Sequence, residues 1–184
     1  ADIIVDFSAA AGASFRLLNL GPDEPFGGGS IGTDFGPSDP DSTGQVMEFR
    51  VASGSVSDPT TPPQYLQLPA ITPVGPAGNT RYLSLNEEEY EPEGEEGIPV
   101  AALLGTYNAD TEESTPLLWM DPITENPAVG GVEEWKIYNE TVDAHPIHIH
   151  LVQFEVLGRE AIGGGPSVAG SNAPLPWETG FKDT

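Results

Sequence analysis

The stretch that decides the fold class is Gln45-Val46-Met47-Glu48-Phe49-Arg50-Val51, in which polar and apolar side chains alternate with a period of two. This period is typical of a half-buried β-strand, because successive side chains of a strand point to opposite faces. The whole chain has 22 glycines and 19 prolines, more than a fifth of its 184 residues. That composition disfavours long helices and favours short strands joined by turns. The sequence therefore predicts an all-β protein.

Sequence on both sides of this strand indicates two domains. Residues 3–7 and 14–20 read as two strands of a hairpin, and residues 21–44 have the glycine, proline and aspartate content of a long loop. Residues 52–79 are rich in proline, serine and threonine, which favours an extended connector between domains. The expected organisation is the end of one domain at residues 1–53, a linker at residues 54–78 and most of a second domain at residues 79–184.

The second domain shows a series of short apolar stretches separated by turn residues. The predicted strands are residues 81–85, 100–107, 117–120, 132–139 and 151–158. The acidic run at residues 87–96 is predicted to be a solvated surface loop, because its like charges repel one another. The three tryptophans, Trp119, Trp135 and Trp177, are expected to pack against their neighbours.

Charge and composition exclude several classes of function. There are 29 acidic residues against 6 basic ones, a net charge of -23, and such a field repels nucleic acids and anionic lipid surfaces. No apolar stretch approaches the roughly 20 residues needed to span a bilayer. The chain has no cysteine, so it contains no disulfide and no thiolate ligand. The acidity predicts either a solvated surface suited to high salt or an attraction for cationic substrates.

The three histidines of the chain all lie in His145-Pro146-Ile147-His148-Ile149-His150. On a strand, His148 and His150 would share one face and form a chelating pair, with Ile147 and Ile149 on the other face. His145 has the opposite parity and is separated from the pair by a proline, so it is expected to point away or to approach a different site. Imidazole suits copper, zinc, iron and nickel, and the pair alone does not choose among them.

The histidine string belongs to a longer pattern that identifies a family. Its parts are Asp121-Pro122-Ile123-Thr124-Glu125-Asn126-Pro127, Glu134-Trp135-Lys136-Ile137-Tyr138-Asn139, the string Asp143-Ala144-His145-Pro146-Ile147-His148-Ile149-His150-Leu151-Val152-Gln153-Phe154, and Glu178-Thr179-Gly180-Phe181-Lys182-Asp183. This pattern resembles the last cupredoxin domain of bacterial multicopper oxidases of the spore-coat laccase and bilirubin oxidase type. The resemblance covers nearly the whole chain and implies a cupredoxin-like Greek-key β-sandwich.

The resemblance also implies a cofactor and a role for each histidine. His145 falls on a ligand of the type-1 copper, His148 on a ligand of the type-2 copper and His150 on a ligand of one of the paired type-3 coppers. The implied partners are dioxygen and a small reducing substrate such as a phenol, a pigment or a metal ion. The implied reaction takes single electrons from that substrate and reduces dioxygen to water, and an extracytoplasmic or secreted location is favoured.

The chain lacks several ligands of the family's pattern. The type-1 site of the family needs a cysteine and a second histidine, and its trinuclear site needs histidines from another domain, whereas this chain has three histidines and no cysteine. We therefore expect the chain to be a fragment that is inactive alone and is completed by the remaining segments of the same oxidase.

Two other functions are compatible with the histidine pair. A cupin-type mononuclear enzyme could use His148, His150 and Glu155, although Glu155 has the wrong parity for a continuous strand. A non-enzymatic acidic module could hold a structural zinc, for which no fourth-ligand spacing stands out.

Overall fold

The computed structural model describes residues 3–54, 57–67, 69–70, 72–90, 97–162 and 172–183. The chain divides into two compact units, Ala1–Thr72 and Pro73–Thr184. The regular structure of the described residues consists of eight strands and one short 3-10 helix, Pro63–Tyr65. The all-β prediction is therefore confirmed. The assignment of residues 1–53, 54–78 and 79–184 to domains of a larger protein stays a prediction.

The first unit contains one antiparallel pair, β1 (Ser14–Leu18) with β2 (Gln45–Arg50), in which Phe15 lies opposite Phe49. The ring of Phe7 lies 5.9 Å from that of Phe15 and 5.2 Å from that of Phe49, measured between centroids. The predicted hairpin between residues 3–7 and 14–20 is wrong, because residues 3–7 form no strand and β1 pairs with β2. Instead the chain turns directly after Phe7, whose carbonyl accepts a hydrogen bond from the backbone of Ala10.

The second unit is built on a four-stranded sheet with the order β5-β4-β3-β6 and a separate antiparallel pair, β7 with β8. Its strands are β3 (Asn79–Tyr90), β4 (Ile98–Asn108), β5 (Glu113–Pro116), β6 (Glu133–Asn139), β7 (Phe154–Glu155) and β8 (Phe181–Lys182). β3 pairs antiparallel with β4 and parallel with β6, so it is one of the two inner strands of the sheet and the one that joins β6 to it. Among the described residues, no helix is long and apolar enough to cross a membrane.

Several strand predictions for this unit need correction. The strand predicted at residues 100–107 is confirmed and lies within β4. The strand predicted at residues 132–139 is confirmed as β6, which begins one residue later. Residues 87–90 of the predicted loop at residues 87–96 continue β3, because their backbones pair with β4 despite the charge of the three glutamates. Residues 91–96 lie outside the described residues. Residues 117–120 are no strand: Leu118 and Asp121 form a hydrogen-bonded turn there, and the strand lies earlier, at β5. Of residues 151–158 only Phe154 and Glu155 pair.

One face of the sheet carries a buried polar cluster under two stacked tyrosines. Ser84 and Asn86 of β3 are buried, and the Asn86 amide donates to Ser84 Oγ over 2.9 Å. Gly105 of β4 pairs with Ser84 and is buried with it. The rings of Tyr107 and Tyr138 stack with centroids 3.7 Å apart and planes inclined by 9°. Since β3 lies between the strands that carry these tyrosines, the small residues beneath them leave room for the stack.

The other face combines an ion pair with apolar side chains. Arg81 Nε donates to Glu133 Oε2 over 2.6 Å, and the indole nitrogen of Trp135 donates to the same oxygen over 2.9 Å. Among the described residues no hydrophobic side chain is fully buried, and Leu104 on this face is 70% exposed. The packing predicted for Trp119 and Trp177 is wrong for the described structure, where they are 97% and 68% exposed; only Trp135 is half-buried.

Replacing Gly105 by alanine should destabilise the sheet. A Cβ at this position would meet the carbonyl of Thr115, lie 2.7 Å from Ser84 Oγ and lie 2.8 Å from Asn86 Nδ2. Overpacking of this kind costs about 1–3 kcal/mol. Urea unfolding of the purified protein should show that loss for Gly105→Ala. Gly75→Ala is the matched control, because nothing lies within 4 Å of its added Cβ; equal stability of the two variants would refute this account of the cluster.

The Glu133 carboxylate should make stability depend on pH in the acid range. Hydrogen bonds from Arg81 and then from Trp135 lower the pKa of Glu133 from 4.5 to about 2. A carboxylate with a depressed pKa in the folded state stabilises fully above its unfolded pKa, and this contribution is lost as pH falls from about 4.5 to about 2. Acid titration of the melting temperature should therefore have a shallower slope in this window for Glu133→Gln than for the wild type. Unchanged slopes would contradict the assignment.

Candidate metal centre

The segment before the histidines is a side-chain-stabilised turn at the end of β6. The Asn139 amide nitrogen donates to the Asp143 carbonyl over 2.6 Å. The Asn139 side-chain oxygen accepts from the backbone nitrogen of Thr141 at 3.2 Å and lies 2.9 Å from the Thr141 hydroxyl. Asparagine and threonine favour such turns because their short side chains bond to backbone groups two residues away. β6 thus continues directly into a fixed turn that precedes His145.

His145 is held through one ring nitrogen. Its Nε2 lies 2.6 Å from Thr141 Oγ1, and its side chain is exposed. Because Nε2 has a hydrogen-bond partner, Nδ1 is the nitrogen of this ring that can take a metal ion.

His148 is held through the opposite ring nitrogen. Its Nδ1 lies 2.5 Å from the Asp183 carbonyl oxygen, which also accepts from the backbone nitrogen of Ile149 over 3.2 Å. A carbonyl oxygen only accepts, so Nδ1 of His148 carries a proton. Asp183 reaches this place because it directly follows β8, which pairs with β7.

His148 and His150 lie together, as the alternation predicts. Their ring centroids are 4.9 Å apart with planes inclined by 62°. Both side chains are exposed, whereas Ile147 and Ile149 are half-buried. Residues 145–150 form no regular strand, so exposed and half-buried side chains alternate here without strand pairing. The pair borders an open cavity of about 380 Å³ whose lining also includes Asp183.

His145 is not part of that cavity. The residues lining it are His148, Ile149, His150, Leu151, Val152, Gln153 and Asp183. Leu151 has a φ of 67°, a left-handed conformation that is strained for a leucine and that turns the chain away directly after His150. The structure therefore brings two of the three predicted ligands together and leaves the third beside Thr141.

In the described part of the chain, no group of three or more histidine, cysteine, aspartate or glutamate side chains is arranged to hold a metal ion. Glu155, the third ligand of the cupin-type alternative, does not line the cavity, and its carboxylate accepts from the backbone nitrogen of Val74 over 3.4 Å. The pair thus lacks the carboxylate that facial coordination in a cupin requires.

Comparison with known proteins identifies the family. A family model described as multicopper oxidase matches residues 98–184, which include all three histidines. A laccase of Bacillus subtilis (strain 168) is 33% identical over 202 residues, an alignment that covers 100% of this chain and 32% of that protein. Residues 98–184 therefore belong to the multicopper oxidase family.

Other relatives have the same kind of activity in their names. A bilirubin oxidase of Albifimbria verrucaria is 34% identical over 185 residues, covering 99% of this chain and 27% of that protein. A laccase of Haloferax volcanii is 33% identical over 192 residues, covering 100% of this chain and 26% of that protein. The resemblance to laccases and bilirubin oxidases is therefore confirmed, together with the cupredoxin-like fold class and with copper as the implied cofactor.

This chain spans about a third or less of the length of the multicopper oxidases that it matches. The sequence pattern indicates the histidines, but it does not single out Asn139, Thr141 or the Asp183 carbonyl as their partners. Thr141 follows Asn139 by two residues and precedes His145 by four. This spacing is the sequence signal that could have predicted the turn. No local signal could have found the Asp183 carbonyl, because it lies 35 residues from His148.

Proposed function

We propose that this chain is the part of a laccase-like multicopper oxidase that contributes to two copper centres. In this proposal His145 is a ligand of the type-1 copper, His148 of the type-2 copper and His150 of one type-3 copper. The observation that supports this proposal is that the two histidines form hydrogen bonds through different ring nitrogens. Nε2 of His145 is bonded to Thr141, whereas Nδ1 of His148 is bonded to Asp183. Histidines held through different ring nitrogens are oriented by different parts of the chain.

The donor set fits copper. Imidazole is a ligand that copper accepts readily, and a metal-binding histidine usually has its other nitrogen bonded to a carbonyl or another polar group. His145 and His148 both have such a bond. When bound, copper supplies the one-electron redox chemistry that carries electrons from a reducing substrate to dioxygen.

The contribution of the protein is to hold the ligands at fixed positions. The half-buried Ile147 and Ile149 anchor the segment, so the exposed His148 and His150 stay side by side. The turn at Thr141 holds His145 at the other end of the same six residues. One short segment thereby fixes the spacing between the centre where electrons enter and the centre where dioxygen binds.

The remaining ligands come, in this proposal, from other segments of the same oxidase. The chain has no cysteine, so the thiolate of a type-1 site must come from elsewhere. Relatives about three times as long as the matched region have room for these segments. Exposed apolar residues such as Leu104 and Val100 of β4 give these segments a surface to cover.

A phenol, a pigment or a metal ion is the proposed electron donor. The strongly acidic chain has no role in binding nucleic acid in this proposal.

Substitution of single histidines in the full-length oxidase should separate the two centres. His145→Ala should abolish the blue absorption band while most of the trinuclear copper stays bound, because His145 lies outside the cavity of the pair. His148→Ala and His150→Ala should each deplete the trinuclear copper. Metal analysis, absorption and electron paramagnetic resonance measure these changes. Equal loss of all copper in the three variants would refute the division of roles.

The acidic charge predicts a preference for cationic electron donors. A net charge of -23 attracts cations over distances set by the Debye length, which is about 30 Å at 0.01 M salt and about 3 Å at 1 M. The ratio of kcat/KM for a cationic donor to that for an anionic donor of similar potential should exceed one at low salt and fall several-fold at high salt. A ratio independent of salt would show that the acidity serves another purpose.

A further inference from the structure

The turn between β6 and His145 contains a chain of polar side chains that ends on the histidine ring. Thr141 Oγ1 lies 2.6 Å from His145 Nε2, 2.9 Å from Asn139 Oδ1 and 3.2 Å from the Asp143 carbonyl oxygen. Asn139 is itself fixed, because its amide nitrogen donates to the Asp143 carbonyl over 2.6 Å. The threonine hydroxyl therefore lies between a fixed acceptor and an imidazole nitrogen.

The acceptors around the Thr141 hydroxyl favour one direction for this chain of hydrogen bonds. A threonine hydroxyl has one proton to donate, and a neutral imidazole has one N–H. The Asn139 amide nitrogen is a donor to Asp143, so the other atom of that amide is the oxygen, and it accepts the Thr141 proton. With its one proton given to Asn139, Thr141 Oγ1 accepts from the backbone nitrogen of Asp143 over 3.3 Å and, in the Nε2–H tautomer, from His145. In this arrangement every proton has one acceptor, and Nδ1 of His145 is left with its lone pair.

We propose that Thr141, supported by Asn139, is a positioning residue that selects the Nε2–H tautomer of His145 and aims Nδ1 at the type-1 copper. The inference rests on the proposed role of His145 as a ligand of that copper. Hydrogen bonds from the second nitrogen of a ligating histidine fix the ring and make it a more basic ligand, and their removal costs about 10- to 100-fold in metal affinity. The hydroxyl of Thr141 thus affects both the orientation and the donor strength of the ring.

The Thr141 hydroxyl should favour the oxidised form of the copper. A more basic imidazole stabilises Cu(II) more than Cu(I), because the higher charge gains more from a stronger donor. Loss of the hydroxyl should therefore raise the reduction potential of the type-1 site. A tenfold selective loss of Cu(II) affinity corresponds to about 59 mV for a one-electron couple.

The test compares Thr141→Val, which keeps the shape without the hydroxyl, with Thr141→Ser, which keeps the hydroxyl, in the full-length copper-loaded oxidase. We expect Thr141→Val to raise the type-1 potential and alter its paramagnetic resonance splitting, with trinuclear copper content unchanged. Thr141→Ser should remain close to the wild type. Thr111→Val is the control for loss of a turn threonine, because no hydrogen bond of its hydroxyl is found among the described residues.

A second measurement does not need copper. Nitrogen NMR of histidine-labelled, copper-free full-length protein at alkaline pH reports the tautomer of each ring. His145 should be mainly the Nε2–H tautomer in the wild type and in Thr141→Ser, and a mixture in Thr141→Val. His148 should remain the Nδ1–H tautomer throughout, since the Asp183 carbonyl is untouched.

The outcomes separate this inference from the proposed function. A type-1 potential and a His145 tautomer that are the same in Thr141→Val and in the wild type would overturn the role of Thr141. Equal shifts in Thr141→Val and Thr141→Ser would also overturn it, because they would assign the effect to side-chain packing. If instead His145→Ala keeps the blue band, then the proposed ligand role of His145 fails, whatever Thr141 does.

Discussion

The parallel pairing of β6 with β3 is the constraint on which the rest of the site depends. It is fixed at its start by the pair of Arg81 with Glu133, and it extends past the end of β6, where the backbone nitrogen of Glu140 donates to the Leu85 carbonyl over 3.0 Å. Asn139 is the last residue of β6, so its backbone is held by the sheet. Asn139 in turn forms the hydrogen bonds of the turn that holds His145. The position of that histidine therefore depends on the sheet.

The histidine pair has a different support. His148 and Ile149 both bond to the Asp183 carbonyl, which the short pairing of β7 with β8 brings back from 35 residues along the chain. The histidine segment is thus held at one end by a local turn and at the other by a distant backbone group. Two independent supports for one short segment are consistent with ligands that belong to two centres.

The sequence was most informative where chemistry or alternation is local. The strand at residues 100–107 and the side-by-side placement of His148 and His150 both follow from periods that neighbouring residues define. Residues 87–89 were mispredicted because pairing with β4 outweighs the local repulsion of three glutamates. The bond from His148 to Asp183 could not be predicted, since a carbonyl 35 residues away leaves no mark in the local pattern. The copper roles of the histidines and the domain boundaries remain predictions.

Anomalous diffraction at the copper edge from crystals of the full-length, copper-loaded oxidase measures directly whether the three histidines belong to different copper centres. We expect one copper peak next to Nδ1 of His145, and separate peaks next to Nε2 of His148 and next to a ring nitrogen of His150. A single peak shared by all three histidines, or a peak next to Nε2 of His145, would contradict it.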